Sequence, residues 1–179
     1  YDARAQFQHV QTRRVFDAAW MLFPENARVL DIGCGTGYFA TIAKEKRPHW
    51  QVLGLDVAHG MCAVAKSRCG VVNASAERIP LAECSVDSAV SSLCYQWVED
   101  TQAAFAELAR VLRPGGRAVV ATLGAQTLCE LRACAQAVAL PLQLLPMRGF
   151  EDTQAALRNA GLGITFAEAR LVTEYYPDV

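Results

Sequence analysis

The sequence predicts an α/β fold of three layers, a mostly parallel sheet with helices on both faces. Three observations predict it. Short apolar runs bounded by turns alternate with segments whose apolar residues recur at helical spacing. A glycine-rich turn, Gly33-Cys34-Gly35-Thr36-Gly37, joins the first such run to the first such segment. Acids, Asp31 and Asp56, stand at the ends of the first two runs. Alternation of this kind requires crossovers, and right-handed crossovers make neighbouring strands parallel.

Each element follows in order. Val15, Ala18, Ala19 and Leu22 share one helical face, so a helix to about Phe23 precedes the first strand. Strand one is about Arg28–Ile32. The helix from about Tyr38, with Phe39, Ile42 and Ala43 on one face, stops before Pro48. Strand two is Gln51–Asp56, followed by a helix carrying Met61, Val64 and Ala65. Val71–Asn73 is a short third strand, and Ser85–Ser92 contains a fourth. The helix from about Gln102 is the plainest: Glu99 and Asp100 suit its positive end, and Phe105, Leu108, Ala109 and Leu112 form its apolar stripe. Pro114-Gly115-Gly116 turns the chain into strand five, Arg117–Thr122. Beyond it, Leu128, Leu131, Ala135 and Val138 suggest an inserted helix. A Leu/Pro-rich loop, a helix near Asp152–Ala160 ended by Gly161, and a strand around Ile164–Val172 complete the reading.

With 179 residues, 53% hydrophobic and 20% charged, the chain reads as one globular domain. A formal net charge of −1 gives no reason to expect nucleic acid as a partner, and no run of Lys/Arg suggests a membrane surface. Neither a membrane-spanning run nor a signal-peptide pattern is present. The seven cysteines are odd in number and include no C-x-x-C, which fits reduced, mostly buried thiols in a cytoplasmic protein. His9, His49 and His59 lie in no metal-ligand spacing with them, so no metal is expected.

Ligands of such sheets bind at the carboxyl ends of the strands. Asp31, Asp56, Ser75 and Ser92 all fall at or just past strand ends and are expected to converge there. Glycines let the main chain take positive φ and come close to a ligand, and the helix that follows offers free N–H groups. In the dinucleotide fingerprint the third glycine would fall on Tyr38; here it is Gly37, one residue early. Asp31 would repel a pyrophosphate but suits an amine or another cation. Asp56, nineteen residues after Gly37, stands where a carboxylate accepts ribose hydroxyls. Asp31-Ile32-Gly33-Cys34-Gly35-Thr36-Gly37 with Asp56 therefore resembles the cofactor motif of the class I S-adenosylmethionine (SAM) methyltransferases, with their Rossmann-like αβα sandwich.

That resemblance implies SAM as cofactor and S-adenosylhomocysteine (SAH) as product. It implies cofactor contacts at Tyr1, Gln8, Asp31, Gly33, Cys34, Gly35 and Gly37, and at Asp56, Val57 and Met61. Further contacts are implied at Ser75, Ala76 and Glu77, in the loop set against adenine, and at Ser91, Ser92 and Leu93. Ser75 stands where the family usually has an Asp; a hydroxyl accepts more weakly than a carboxylate. The loop Leu93-Cys94-Tyr95-Gln96-Trp97 would wall the acceptor pocket. The family closes its sheet with a further antiparallel strand that has no counterpart here, and the chain opens on Tyr1 rather than Met, so both ends are expected to be truncated.

One branch is closer still. Tyr1-Asp2 with Gln8, Gln96-Trp97, Arg113-Pro114-Gly115-Gly116, and Thr122-Leu123 with Leu128, Glu130 and Leu131 resemble the malonyl-acyl-carrier-protein O-methyltransferases of biotin synthesis. The resemblance implies methyl transfer to the free carboxylate of a malonyl thioester, with the acyl carrier protein as partner. Tyr1, Gln96, Trp97 and Arg148 would hold the substrate, and Tyr1 would belong to a lid. A carboxylate is already ionised at neutral pH, so no general base is needed. The alternatives are another small-molecule methyltransferase, such as a quinone-precursor C-methyltransferase, or an inactive SAM-binding partner subunit. Tyr38 and Asp31 disfavour a nicotinamide-dependent oxidoreductase. Arg110, Arg113 and Arg117 read as solvated charges.

Overall fold

A computed structural model describes residues 5–141 and 146–173. Tyr1 and Asp2 lie outside the described residues. Five strands form one sheet in the order β3-β2-β1-β4-β5, every neighbouring pair parallel. They are β1 Arg28–Ile32, β2 Gln51–Asp56, β3 Gly70–Asn73, β4 Val86–Ser92 and β5 Leu112–Ala121. The order reverses between β1 and β4, which opens a crevice at their carboxyl ends.

Two apolar layers hold the sheet. On one face α1 (Gln6–Leu22) and α2 (Tyr38–Lys46) bury Phe16, Ala19, Phe39 and Ala43 against Val29, Val90 and Trp50. Phe16, Phe39 and Trp50 meet with ring centroids 5.8–6.4 Å apart, and Trp50 Nε1 donates to Pro24 O at 2.8 Å, so the indole satisfies its polar atom inside the core. The short α3 (His59–Ala65) packs on β2 and β3. On the other face Phe105, Leu108 and Val111 of α4 (Thr101–Val111), all fully buried, cover Leu30, Ile32 and Ala89. Asp100 caps α4 by accepting from Ala103 N at 2.9 Å. A last helix, α6 (Phe150–Asn159), adds Ala156 to this layer and is followed by Gly161 at φ 82°.

Three expectations are corrected. The segment 164–172 forms no strand. It has no ladder partner among the described residues, and a strand without one leaves its backbone groups to water; Phe166 and Leu171 are accordingly exposed. β5 begins five residues early, because α4 stops at Val111, ahead of Arg113, which precedes Pro114 and disfavours helical backbone. Leu112 pairs with Val86, pairing resumes at Ser88 with Arg117, and the Pro-Gly-Gly turn is a bulge between them. Finally, burial of the thiols is partial. Cys34 and Cys62 are buried, Cys69 and Cys94 half-buried, and Cys84, Cys129 and Cys134 exposed; none is in a disulfide. Two of the exposed three lie on α5 (Cys129–Ala137), a helix that buries only Ala135.

Candidate functional site

The glycine turn is built to bring the main chain to the crevice. Gly33 N and Cys34 N both donate to Leu55 O, at 2.7 and 3.0 Å, which fastens the turn to β2. Gly33 has φ +74°, and a Cβ there would sit 2.3 Å from Cys94 Cβ, on the loop that leaves β4. Gly35, at φ +54°, has nothing within 4 Å of the place its Cβ would occupy. One glycine is needed for the protein's own packing, the other faces open space. Gly37, at φ +84°, precedes α2 and lies against Ala65.

Two carboxylates flank this turn and behave differently. Asp31 is buried and accepts no hydrogen bond from the described residues; burial first, and the charge of Asp56 second, push its carboxyl up to about 7. Asp56 Oδ2 accepts from Gly35 N and Oδ1 from Ala58 N, each at 2.8 Å. Asn73 Nδ2 donates to Asp56 O and Val57 O, so β3 braces the end of β2. The Asp56 carboxylate is thus held in one orientation with lone pairs to spare. Val57 is exposed and Met61 half-buried on α3 beside it. Burial, Asp56 and Asp31 push the Cys94 thiol up to about 12, and Cys34 is likewise raised, so neither is a ready thiolate.

The loop after β3 folds on itself. Ser75 Oγ donates to Glu77 Oε2 at 3.0 Å and accepts from Glu77 N at 3.2 Å, while Glu77 Oε1 accepts from Asp100 N at 2.7 Å. Ala76 between them is buried. At the end of β4, Ser91 is buried, and Ser92 Oγ accepts from Thr12 Oγ1 at 3.1 Å, which fixes α1 over this strand end. Gln8 is exposed one turn earlier on α1, and His9 stacks on Tyr38 at 3.8 Å. Leu93 takes φ +58°, a strained value for a leucine. Its N–H donates to Ala121 O at 2.8 Å, and its carbonyl accepts from Gln96 Nε2 at 2.8 Å. Gln96 Oε1 in turn accepts from Thr122 Oγ1 at 3.1 Å. Trp97 projects outward and is exposed. Arg148 Nε donates to Thr101 Oγ1 at 2.8 Å, four residues beyond Trp97.

The expected residues therefore gather along the carboxyl ends of the sheet: Asp31, Gly35 and Asp56 at the crevice, Ser75 to Glu77 toward β3, Gln96, Trp97 and Arg148 toward β5. Two cavities, of about 250 and 390 Å³, contain none of them. Sequence reasoning missed Thr12 and Thr122, whose hydroxyls have no motif to announce them. It also misread two arginines. Arg110 makes a network with Glu107 and the 79–81 backbone; Arg113 pairs with Asp87 and donates to Cys84 O.

The donor set fits a cationic nucleoside. Asp31 is a buried carboxylate without a donor, which a cation would satisfy; Gly35 opens onto space; Asp56 presents free lone pairs beside it. Among the described residues no group of three His, Cys, Asp or Glu is arranged to hold a metal ion, and no helix is long and apolar enough to cross a membrane.

Comparison with known proteins agrees. A family model described as a methyltransferase domain matches residues 30–120. The whole chain is 35% identical to the malonyl-[acyl-carrier protein] O-methyltransferase of Methylococcus capsulatus, covering 67% of that protein, and 35% identical to that of Gallionella capsiferriformans, covering 66%. The chain thus spans about two thirds of the length of these curated relatives. Among solved structures, a SAM-dependent methyltransferase of Thermotoga maritima matches with TM-score 0.69 at 25% identity, over 89% of this chain and 75% of that one. A SAM-dependent methyltransferase of Mesorhizobium loti matches with TM-score 0.64 at 26% identity, over 81% and 79%. A matching domain model, relatives aligned end to end and a shared parallel sheet all meet in one assignment: the chain belongs to the family of class I, SAM-dependent methyltransferases.

Proposed function

We propose that this chain transfers a methyl group from SAM to the free carboxylate of a malonyl thioester carried by an acyl carrier protein. Bound SAM supplies an electrophilic methyl on a sulfonium. Asp31 meets the cationic amino-acid end, and its burial without a competing donor is the observation that carries this part of the reading. Asp56, oriented by Gly35 N and Ala58 N, accepts the ribose hydroxyls. The loop from Ser75 to Glu77 borders the base.

The acceptor assignment is supported by the full-length likeness to proteins named for that activity. Its chemistry asks little of the chain. A malonyl carboxyl with a pKa of about 4 is ionised roughly a thousandfold over its acid at pH 7, so no side chain need take a proton. Cys34 and Cys94 keep theirs. What remains is alignment and exclusion of water, which falls to the loop from Leu93 to Trp97, to α1, and to Arg148, whose guanidinium matches a carboxylate.

Labelled methyl transfer from SAM to malonyl carrier protein tests the proposal, with malonyl-coenzyme A and a methyl-blocked malonyl thioester as comparisons. Turnover with the free carboxylate and none with the blocked one is expected. SAH binding without turnover on any acyl thioester would leave a SAM-binding partner subunit instead.

A further inference from the structure

The connection from β3 to β4 contains no helix among its residues 74–85. It nevertheless has one defined course, and the groups that define it belong to α4. Glu107 and Arg110, one turn apart, grip the loop by its main chain. Glu107 Oε2 accepts from Ile79 N at 2.7 Å. Arg110 donates from Nη1 to Leu81 O and from Nη2 to Ile79 O, each at 2.8 Å. The pair is locked to itself by Nε to Glu107 Oε1 at 2.6 Å and Nη2 to Oε2 at 2.8 Å. Glu77, two residues before Arg78, ties the same loop to Asp100 N at the start of α4.

From this geometry we infer that Glu107 and Arg110 are positioning residues for the base-binding loop, setting SAM affinity from α4 without touching the ligand. The inference rests on the reading of Ser75 to Glu77 as that loop. Ile79 lies two residues past Glu77, and its side chain and that of Ala76 are buried in the α4 layer. Those apolar contacts seat the loop but do not fix its backbone direction; the fork of Arg110 and the carboxylate of Glu107 do. Both side chains are partly exposed, 34% and 21%. A pair at that depth adds little to global stability, so its removal acts on the loop rather than on the fold. The hydrogen bond from Arg110, opposed by burial and aided by Ile79 N, holds the Glu107 carboxyl below the usual range, so the clamp is charged at neutral pH.

The test uses the chain as it stands, with Glu107→Ala, Arg110→Ala and Arg110→Lys, and Arg113→Ala as a control on an ion pair away from the loop. Calorimetry should show SAH bound tenfold or more weakly by the first two variants and unchanged in the control. The KM for SAM should rise by the same factor, with kcat at saturating SAM within twofold and the acceptor KM unmoved. A merely structural role would instead lower the melting temperature and spread over all three parameters. Arg110→Lys keeps the charge but loses the fork, so it should resemble Arg110→Ala. Wild-type SAH affinity in both alanine variants overturns the inference. If they do not fold, wild-type affinity in Arg110→Lys does so. Failure of the unmodified chain to bind SAH is a different result: it removes the reading of the site itself.

Discussion

Gly33 and Gly35 are two residues apart, both at positive φ, and glycine for different reasons. A methyl at Gly33 would overlap Cys94, whereas at Gly35 it would meet nothing of the protein. Gly33→Ala should therefore destabilise the fold, by left-handed strain of about 1–2 kcal/mol plus overpacking of about 1–3 kcal/mol. Cys94→Gly in the same chain should recover the overpacking part only. Gly35→Val should keep most of its melting temperature and lose SAH binding, because its side chain enters the ligand's space. Thermal melts beside calorimetry separate the two; equal losses of stability would refute the distinction. Asp56→Ala removes charged acceptors and frees Gly35 N and Ala58 N, so SAH should bind more weakly by about 2 kcal/mol or more. Unchanged affinity by calorimetry would remove Asp56 from the site.

At the scale of elements, β4 and β5 are coupled beyond their ladder by one side chain. Gln96 holds the carbonyl of strained Leu93 with one end of its amide and Thr122 with the other. Gln96→Leu should release Leu93, lowering kcat with the acceptor while SAH affinity changes less than threefold. Arg148 is held at Nε by Thr101, and its other nitrogens bond to nothing among the described residues, which leaves a fork for an acceptor carboxylate. Arg148→Ala should raise the KM for a malonyl thioester about tenfold, which corresponds to about 1.4 kcal/mol, and should matter little for an acceptor without the free carboxylate. Wild-type kcat/KM would make Arg148 a surface arginine. Legibility in the sequence divides along the same lines. β1, β2, α2 and α4 were readable because each carries its own period and its own stop. The segment 164–172 was not, since an apolar run becomes a strand only beside a partner. The glycine turn and Asp56 were readable because backbone conformation and charge dictate residue type there. Thr12, Thr122, Glu107 and Arg110 act through contacts 26 to 80 residues away in sequence, and nothing local marks them.

On the scale of the whole molecule, the crevice stores an unfavourable charge that its ligand would relieve. Asp31 is raised from an ordinary value of about 4 to about 7 by burial and by Asp56. An acid raised in the folded state binds more protons there than in the unfolded chain. Its stabilising contribution is full below about pH 4 and is lost as pH rises through 7. The ligand-free protein should therefore lose stability across that interval, and Asp31→Asn should abolish the loss. A bound cation reverses the balance, because it favours the ionised carboxylate. Binding should then release a proton, and SAH affinity should be about tenfold weaker at pH 6 than at pH 8, following the ionised fraction of a group of pKa 7. Calorimetry in two buffers of different ionisation enthalpy would count that proton. Thermal melts with and without SAH would show the ligand's stabilisation growing toward pH 8. If binding releases no proton, and affinity at pH 6 equals that at pH 8, Asp31 is ionised before the ligand arrives and some other group answers its charge. If Asp31→Asn keeps the pH dependence of the parent chain, the titrating group lies elsewhere in the crevice.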